Sequence, residues 1–199
     1  MFLFGLERLM GKAKTFTATE LRRVLDYIAT RQHALRNRAM LLMTHWGGMR
    51  VGEVAALRYG DVLNSDGTVR TEINLSAEQT KGSHSRTVFL STKLRKELAA
   101  YVVSYKATDS SRALFYTQKN PKRGFTANTL AQHFLHLYRK VGIDGASSHS
   151  GRRSFATALS SKGVGVRVLM RAMGHRNIST TIGYVDASDD MLRKAVNLV

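Results

Sequence analysis

The segment MGHRNISTTIGY, residues 173–184, contains a His and a Tyr that could act in one chemical step. Tyr184 could attack phosphorus as a covalent nucleophile, provided that its proton is removed and the developing charge is stabilised. Asn177 or Ser179 is a plausible helix N-cap between the two residues. A loop followed by a short helix would let His175 and Tyr184 face one pocket, whereas an unbroken helix would put them on opposite faces.

Arg50 stands where its side chain could hold a phosphate. The planar guanidinium makes two parallel charge-assisted hydrogen bonds to phosphate oxygens and stays charged at any working pH. In GGMRVGE, Arg50 lies between a helix end predicted at Gly47 and Gly48 and the start of the next helix. It could therefore be held in a cleft, although an ordinary surface Arg is the alternative. Glu53 shares its helical face and could orient it.

The segment SSHSGRRSFATAL combines a His with two arginines. On a helix, His149 and Arg152 would project from one face, which suits an acid or base beside a phosphate clamp. Helical geometry does not choose between Arg152 and Arg153, because spacings of three and four are nearly equivalent. The alternative is a His at a helix N-terminus followed by two exposed arginines.

Lys81, in EQTKGSHSRTV, falls at or near the bend of a predicted β-hairpin. From such a tip a Lys could reach over a bound ligand, either to pair with a phosphate or to give a proton to a leaving oxygen. Taken alone, the position is equally compatible with an exposed basic tip.

The charge of the chain predicts a polyanionic partner. Lys and Arg total 31 against 14 Asp and Glu, a formal net charge of +17 that is spread along the sequence. Nucleic acid fits best, because neutralising phosphates releases condensed counterions. The chain has no Cys, which excludes disulfides and Cys-based zinc sites. It also contains no Walker A pattern and no acidic cluster in its motifs, so we expect neither a cofactor nor a metal.

The segment MFLFGLERLM is interrupted by charge and fails as a signal peptide, and no stretch is long and apolar enough to span a bilayer. We therefore expect a cytoplasmic, nucleoid-associated protein with no membrane partner.

The elements that must position these residues are mainly helical. Thr17 and Glu20 have capping-box spacing, and helical periodicity recurs from there onward. Between Asp61 and Leu90, β-branched segments around a turn signal predict a small antiparallel sheet, and ALFYT predicts one more short strand. Short helices are expected after Ser147. The predicted fold is mainly α with a small antiparallel β-sheet, in a single domain spanning 1–199.

The order of the candidate residues carries more information than any one of them. Together with their local sequences they resemble the tyrosine recombinase and phage integrase family, the relatives of lambda integrase, Xer and Cre. The resemblance covers the chain from about Thr17 onward. The residues that carry it are Arg50, Lys81, His149, Arg152, His175 and Tyr184.

This resemblance implies that Tyr184 attacks a DNA phosphodiester, leaving a 3′-phosphotyrosyl bond and a free 5′-hydroxyl. It implies that Arg50 and Arg152 clamp the non-bridging oxygens, and it selects Arg152 over Arg153. His175 would add a further donor to the same phosphate.

The resemblance also assigns the proton transfers. Lys81 would be the general acid on the departing 5′-oxygen, and His149 would assist proton transfer as the base. Phosphoryl transfer needs positioning and charge stabilisation above all, which two Arg, one Lys and two His can supply without a metal.

The implied function is that of a site-specific DNA recombinase of the integrase or invertase type, acting on double-stranded DNA at a recombination site. Two alternatives remain. A type IB-like topoisomerase would share the chemistry but relax supercoils as a monomer, and a DNA-binding regulator would keep the fold without the reaction.

Two departures from the family bear on assembly. Most relatives carry an N-terminal core-binding domain, for which this chain has no room, so we expect either a catalytic domain cut from a longer protein or a naturally short recombinase. The tail Asp186 to Val199 has an amphipathic pattern. It could dock on a neighbouring subunit in a homo-oligomer on DNA, or it could pack on its own core.

Overall fold

The computed structural model describes residues 13–80, 82–105, 109–118, 120, 123–184 and 189–197. Lys81 and parts of the tail, residues 186–188 and 198–199, lie outside the described residues.

The described chain folds mainly into α-helices, with a two-stranded antiparallel sheet inserted between the fourth and the fifth helix. The helices are α1 (Ala18–Ala29), α2 (Ala34–His45), α3 (Val51–Ala56), α4 (Tyr59–Val62), α5 (Thr92–Ser104), α6 (Ala127–Lys140), α7 (Ser150–Ser160), α8 (Val166–Met173), α9 (Ile178–Ile182) and α10 (Asp189–Val196). Strands β1 (Glu72–Leu75) and β2 (Arg86–Phe89) pair with Ile73 opposite Val88. The predicted fold class is confirmed.

Helix α1 begins at the predicted capping box. The Thr17 hydroxyl accepts a hydrogen bond from the Glu20 backbone N–H at 3.1 Å, and the Glu20 carboxylate accepts one from the Thr17 backbone N–H at 3.0 Å. These two hydrogen bonds satisfy two of the four N-terminal backbone N–H groups that have no partner within the helix. The start of the first helix is therefore determined locally.

Helix α2 is the central helix of the fold. It packs against α1, α5 and α7, and its residues from Ala39 to Met43 are fully buried. Five consecutive apolar residues cover every side of a helix, so this part of α2 is stable only when other elements surround it. Just beyond its end, Gly48 has a φ of 62°, and a Cβ there would lie 2.4 Å from the Phe155 ring of α7. The chain can thus turn sharply into α3 against α7.

The predicted strand ALFYT is wrong for the described residues 113–117. Only isolated backbone bridges occur there, between Ala113 and Arg58 and between Tyr116 and Gly124. The segment is extended and buried, as Leu114 and Phe115 show, but it runs between loops rather than beside a continuous strand. The apolar residues with high strand propensity in this segment therefore indicate burial and not the hydrogen-bonded pairing of a strand.

Across the described residues, none of the helices has the length and apolar character needed to cross a membrane.

Candidate active site

A cavity of about 760 Å³ is lined by residues from α3, α7 and α9, among others. It brings together every predicted site residue within the described ranges. Thr80, which precedes Lys81, also lies on its wall. The predicted residues that line it are Arg50, Glu53, His149, Arg152, His175 and Tyr184.

Arg50 and Glu53 form the first wall. Arg50 is the residue before α3, and its backbone N–H donates to Glu53 Oε2 at 2.7 Å while its Nη1 donates to Oε1 at 2.9 Å. The Arg50 side chain keeps 28% of its surface exposed, whereas that of Glu53 keeps 1%. Glu53 thus holds the guanidinium from the protein side and leaves its other side open to the cavity.

Arg86 is a further charged residue at this site, and it was not among the predicted ones. From β2 it makes a bidentate ion pair with Glu53, with Nε to Oε1 at 3.0 Å and Nη2 to Oε2 at 2.6 Å. Its side chain is only 9% exposed. The strand alternation could have revealed it, because Arg86 shares a face with buried Val88.

The Glu53 carboxylate is ionised in spite of its burial. Burial by itself would raise the pKa of Glu53, but the hydrogen bonds and charge of Arg86, together with the backbone N–H of Arg50, hold it below its ordinary value. Hydrogen bonds donated to a carboxylate favour its charged form.

Arg152 projects from α7 into the cavity and is 2% exposed. Its Nη1 donates to the Gly48 carbonyl at 2.5 Å, and its Nη2 donates to the Met173 carbonyl. Burial lowers the pKa of Arg152, and the charge of Arg50 lowers it further. A guanidinium nevertheless stays protonated in proteins. Arg153, one residue on, is not part of the cavity wall.

His149 lies at the N-cap of α7 rather than inside the helix, with φ −86° and ψ −15°. Its backbone N–H donates to the Ser147 hydroxyl at 3.2 Å, and its exposed side chain lies on the cavity wall. It therefore sits at the mouth, where solvent can exchange protons with it.

His175 and Tyr184 approach each other as the predicted loop and short helix would allow. Asn177 is the N-cap of α9, and its side chain accepts from the Ser179 backbone N–H at 2.9 Å. The ring centroids of His175 and Tyr184 are 5.3 Å apart. One pocket thus contains both side chains.

His175 is held in its neutral form. Its side chain is largely buried, and its Nδ1 lies 2.9 Å from the hydroxyl oxygen of Thr181. Burial lowers the pKa of His175 to about 4, with the charges of Arg152 and Arg50 acting in the same direction. The neutral ring carries one N–H, which is a hydrogen-bond donor.

Within the described residues, no three His, Asp or Glu side chains are grouped so that they could hold a metal ion.

The chain is similar to known proteins over most of its length. The phage integrase family model matches residues 14–191. Tyrosine recombinase XerA of Thermococcus kodakarensis is 30% identical over 183 residues, which is 92% of this chain and 61% of that protein. Transposase A from transposon Tn554 of Staphylococcus aureus is 28% identical over 195 residues, covering 92% of this chain and 52% of that protein. The chain thus spans about half to three fifths of the length of these curated relatives.

Solved structures have the same fold. The crystal structure of XerA recombinase superposes with a TM-score of 0.73 at 22% identity, covering 93% of this chain and 64% of that one. The Tn1549 transposon integrase, in complex with a circular intermediate DNA, superposes with a TM-score of 0.74 at 18% identity, covering 94% and 66%. This chain therefore has the catalytic-domain fold of the tyrosine recombinases, and it belongs to the phage integrase family.

Proposed function

We propose that this chain is the catalytic part of a site-specific DNA recombinase, which cleaves and rejoins double-stranded DNA through a 3′-phosphotyrosyl intermediate. The observation that carries the proposal is the convergence of Tyr184 with Arg50, Arg152 and His175 on one cavity of about 760 Å³. A nucleophile beside several fixed cationic and N–H donors is what a phosphodiester needs. The recombinase and transposase names of the relatives agree with it.

In the proposed step, the Tyr184 hydroxyl oxygen bonds to phosphorus as the bond from phosphorus to the 5′-oxygen breaks. The phenol proton passes to His149 as the base. The 5′-oxygen takes a proton from Lys81, which leaves a 5′-hydroxyl. Religation runs the same transfers in reverse, with a 5′-hydroxyl attacking the phosphotyrosine, so the energy of the broken bond is stored in the covalent intermediate.

The charges around the cavity suit this reaction. Arg50 and Arg152 would hold the non-bridging oxygens, where negative charge develops in the transition state. Because His175 is neutral, it would act as a hydrogen-bond donor to the same phosphate rather than as a cation. The open side of the Arg50 guanidinium supports its contact with a ligand.

We also propose that residues 1–199 act as one catalytic domain and that subunits assemble on DNA through the tail Asp186–Val199. Leu192 and Val196, one helical turn apart on α10, are 58% and 74% exposed. Such an uncovered apolar pair fits a subunit contact. Work on DNA would make this a cytoplasmic, nucleoid-associated protein.

Covalent capture tests the function without a known target site. The 199-residue chain is incubated with a pool of nicked duplexes whose central bases are randomised, and adducts that survive denaturing electrophoresis are sequenced. The wild type should form an adduct, and Tyr184→Phe should form none. Tyr27→Phe is the matched control, because the Tyr27 hydroxyl accepts a hydrogen bond from Arg31 away from the cavity.

Two results would count against the proposal. An adduct that persists in Tyr184→Phe would exclude this nucleophile, and a wild type that forms no adduct with any duplex would exclude the reaction. Relaxation of a supercoiled plasmid carrying the captured sequence, without exchange between two sites, would instead favour the topoisomerase alternative.

A further inference from the structure

The C-terminal end of α8 is held by arginine side chains from other parts of the chain. Arg86 Nη1 donates to the Ala172 carbonyl at 3.2 Å, and Arg152 Nη2 donates to the Met173 carbonyl. The last carbonyls of a helix lack partners within the helix, and cations near them are favourable. His175 comes directly after this turn, so whatever fixes these carbonyls also fixes His175.

Arg50 reaches the same turn, with its Nη2 donating to the Gly174 carbonyl at 3.5 Å. Arg50 is in turn joined to Arg86 through the two oxygens of Glu53. Oε1 accepts from Arg50 Nη1 at 2.9 Å and from Arg86 Nε at 3.0 Å. Oε2 accepts from the Arg50 backbone N–H at 2.7 Å and from Arg86 Nη2 at 2.6 Å. The buried carboxylate therefore has four donors, two from each arginine.

Arg86 lies beside the cavity rather than in its wall. It is not among the residues that line the cavity of about 760 Å³, but it lines an adjoining cavity of about 440 Å³ that shares Arg50 and His175 with it. Its side chain crosses the turn so closely that a Cβ at residue 174 would lie 2.4 Å from its Cδ, and Gly174 also has a φ of 61°. The backbone at Gly174 and the path of Arg86 thus depend on each other.

We propose that Arg86 is a positioning residue for the strand-cleavage reaction. Through Glu53 it orients the Arg50 guanidinium, and through the Ala172 carbonyl it fixes the turn that carries His175. It also connects both to β2, the strand that follows Lys81 in the sequence. This inference rests on the proposed function, because it assigns Arg86 a part in that same site.

The planar shape of the Arg86 guanidinium, and not its charge alone, allows it to position both Arg50 and the turn before His175. Three nitrogens of one planar group reach Glu53 and Ala172 at once, which a Lys ammonium on a flexible stem cannot reproduce. Replacement by Lys keeps the positive charge but releases at least one of the two elements. A small misplacement of groups that contact the reacting phosphate is expensive in rate.

The first test separates binding from chemistry. Arg86→Lys and Arg86→Gln are compared with the wild type in single-turnover adduct formation on a captured nicked duplex, and DNA affinity is measured separately. Both variants should slow adduct formation about 10- to 100-fold, with a smaller change in DNA affinity. Full-rate adduct formation in both variants would overturn the proposal, as would a loss confined to DNA affinity.

Arg95→Gln is the matched control. Arg95 also donates to a backbone carbonyl, that of Val69, through Nε at 3.2 Å and Nη2 at 3.0 Å, but it lies outside the cavity wall. Its rate of adduct formation should equal that of the wild type. Thermal melts of all variants ensure that rates are compared among folded proteins, and Arg86→Lys, which keeps the charge, serves if Arg86→Gln does not fold.

A second measurement does not depend on activity. Inorganic phosphate is titrated into the chain while the ring signal of His175 is followed by NMR. If Arg86 orients Arg50 and His175, Arg86→Lys should weaken phosphate binding about tenfold, the equivalent of one charged hydrogen bond. Unchanged phosphate affinity in Arg86→Lys would overturn the inference. A wild type that binds phosphate but forms no adduct would refute the proposed function. The phosphate affinities of the wild type and Arg86→Lys would still test whether Arg86 orients Arg50 and His175.

Discussion

The rings of His175 and Tyr184 lie 5.3 Å apart, centroid to centroid, although a loop and the whole of α9 separate the two residues in the chain. The Asn177 cap starts α9 directly after the loop, and the helix then returns the chain to the same pocket. A neutral donor and a phenol hydroxyl are thereby brought to one side of the cavity.

We expect His175 to remain neutral until the pH falls close to 4. Burial, Arg152 and Arg50 lower its pKa from 6.5 to about 4, so the unfolded chain binds this proton more readily than the folded one. Keeping His175 neutral therefore costs the folded state nothing above pH 6.5, and the free energy of unfolding decreases as the pH falls from 6.5 towards 4. NMR titration of the ring signal checks this, and a midpoint at or above the ordinary value would contradict it.

Thr181→Val should impair the reaction through the orientation of His175. The hydroxyl of the fully buried Thr181 lies 2.9 Å from His175 Nδ1, and Val keeps the shape but removes this partner. We expect adduct formation to slow about 10- to 100-fold, as is typical when the partner that orients a functional His is removed. Thr181→Ser, which retains a hydroxyl, should recover most of the rate. Equal rates for the two variants would show that the hydroxyl is not used.

Arg152 and Arg153 should differ sharply in their importance for cleavage. Arg152 reaches the cavity and donates to Gly48 and Met173, whereas Arg153 is not part of the cavity wall. Arg152→Lys should lower the single-turnover rate of adduct formation about 100- to 1,000-fold, the usual loss of one fixed donor to a developing negative charge. Arg153→Lys should stay within about tenfold of the wild type. The reverse order would refute the assignment.

Gly151→Ala should destabilise the fold, although Ala is ordinarily the better helix former. A Cβ at this position in α7 would lie 2.1 Å from the Thr44 hydroxyl oxygen and 2.6 Å from His45 Nδ1. Both belong to α2, whose end is fully packed, so we expect a loss of about 1 to 3 kcal/mol in the free energy of unfolding.

Denaturant unfolding measures this loss, and Gly52→Ala in α3 is the control. A Cβ at Gly52 would meet only the Ala127 Cβ, at 3.5 Å. That variant should be neutral or slightly stabilised. A stabilised Gly151→Ala would mean that α7 can move away from α2 without cost.

Local signals account for what was predicted correctly. The capping box at Thr17, a cap at Asn177 or Ser179, and the helical periodicity depend on neighbours within a turn or two, which can be recognised in a single sequence. The structure selects Asn177 as the cap. The strand predicted at ALFYT was wrong because its signal is also local. β-Branched and aromatic residues indicate burial as readily as strand pairing. Whether such a segment joins a sheet depends on a partner elsewhere in the chain.

The amino-acid sequence by itself determined the helical class of the fold, the order of the candidate residues and the short turn that lets His175 and Tyr184 meet. Tertiary structure alone decided what holds them. The Arg86–Glu53 pair spans 33 positions, and the contact of Arg152 with Gly48 spans 104. Such contacts form only when packing around α2 brings distant segments together, and a guanidinium in a sequence does not reveal which carbonyl or carboxylate it will meet.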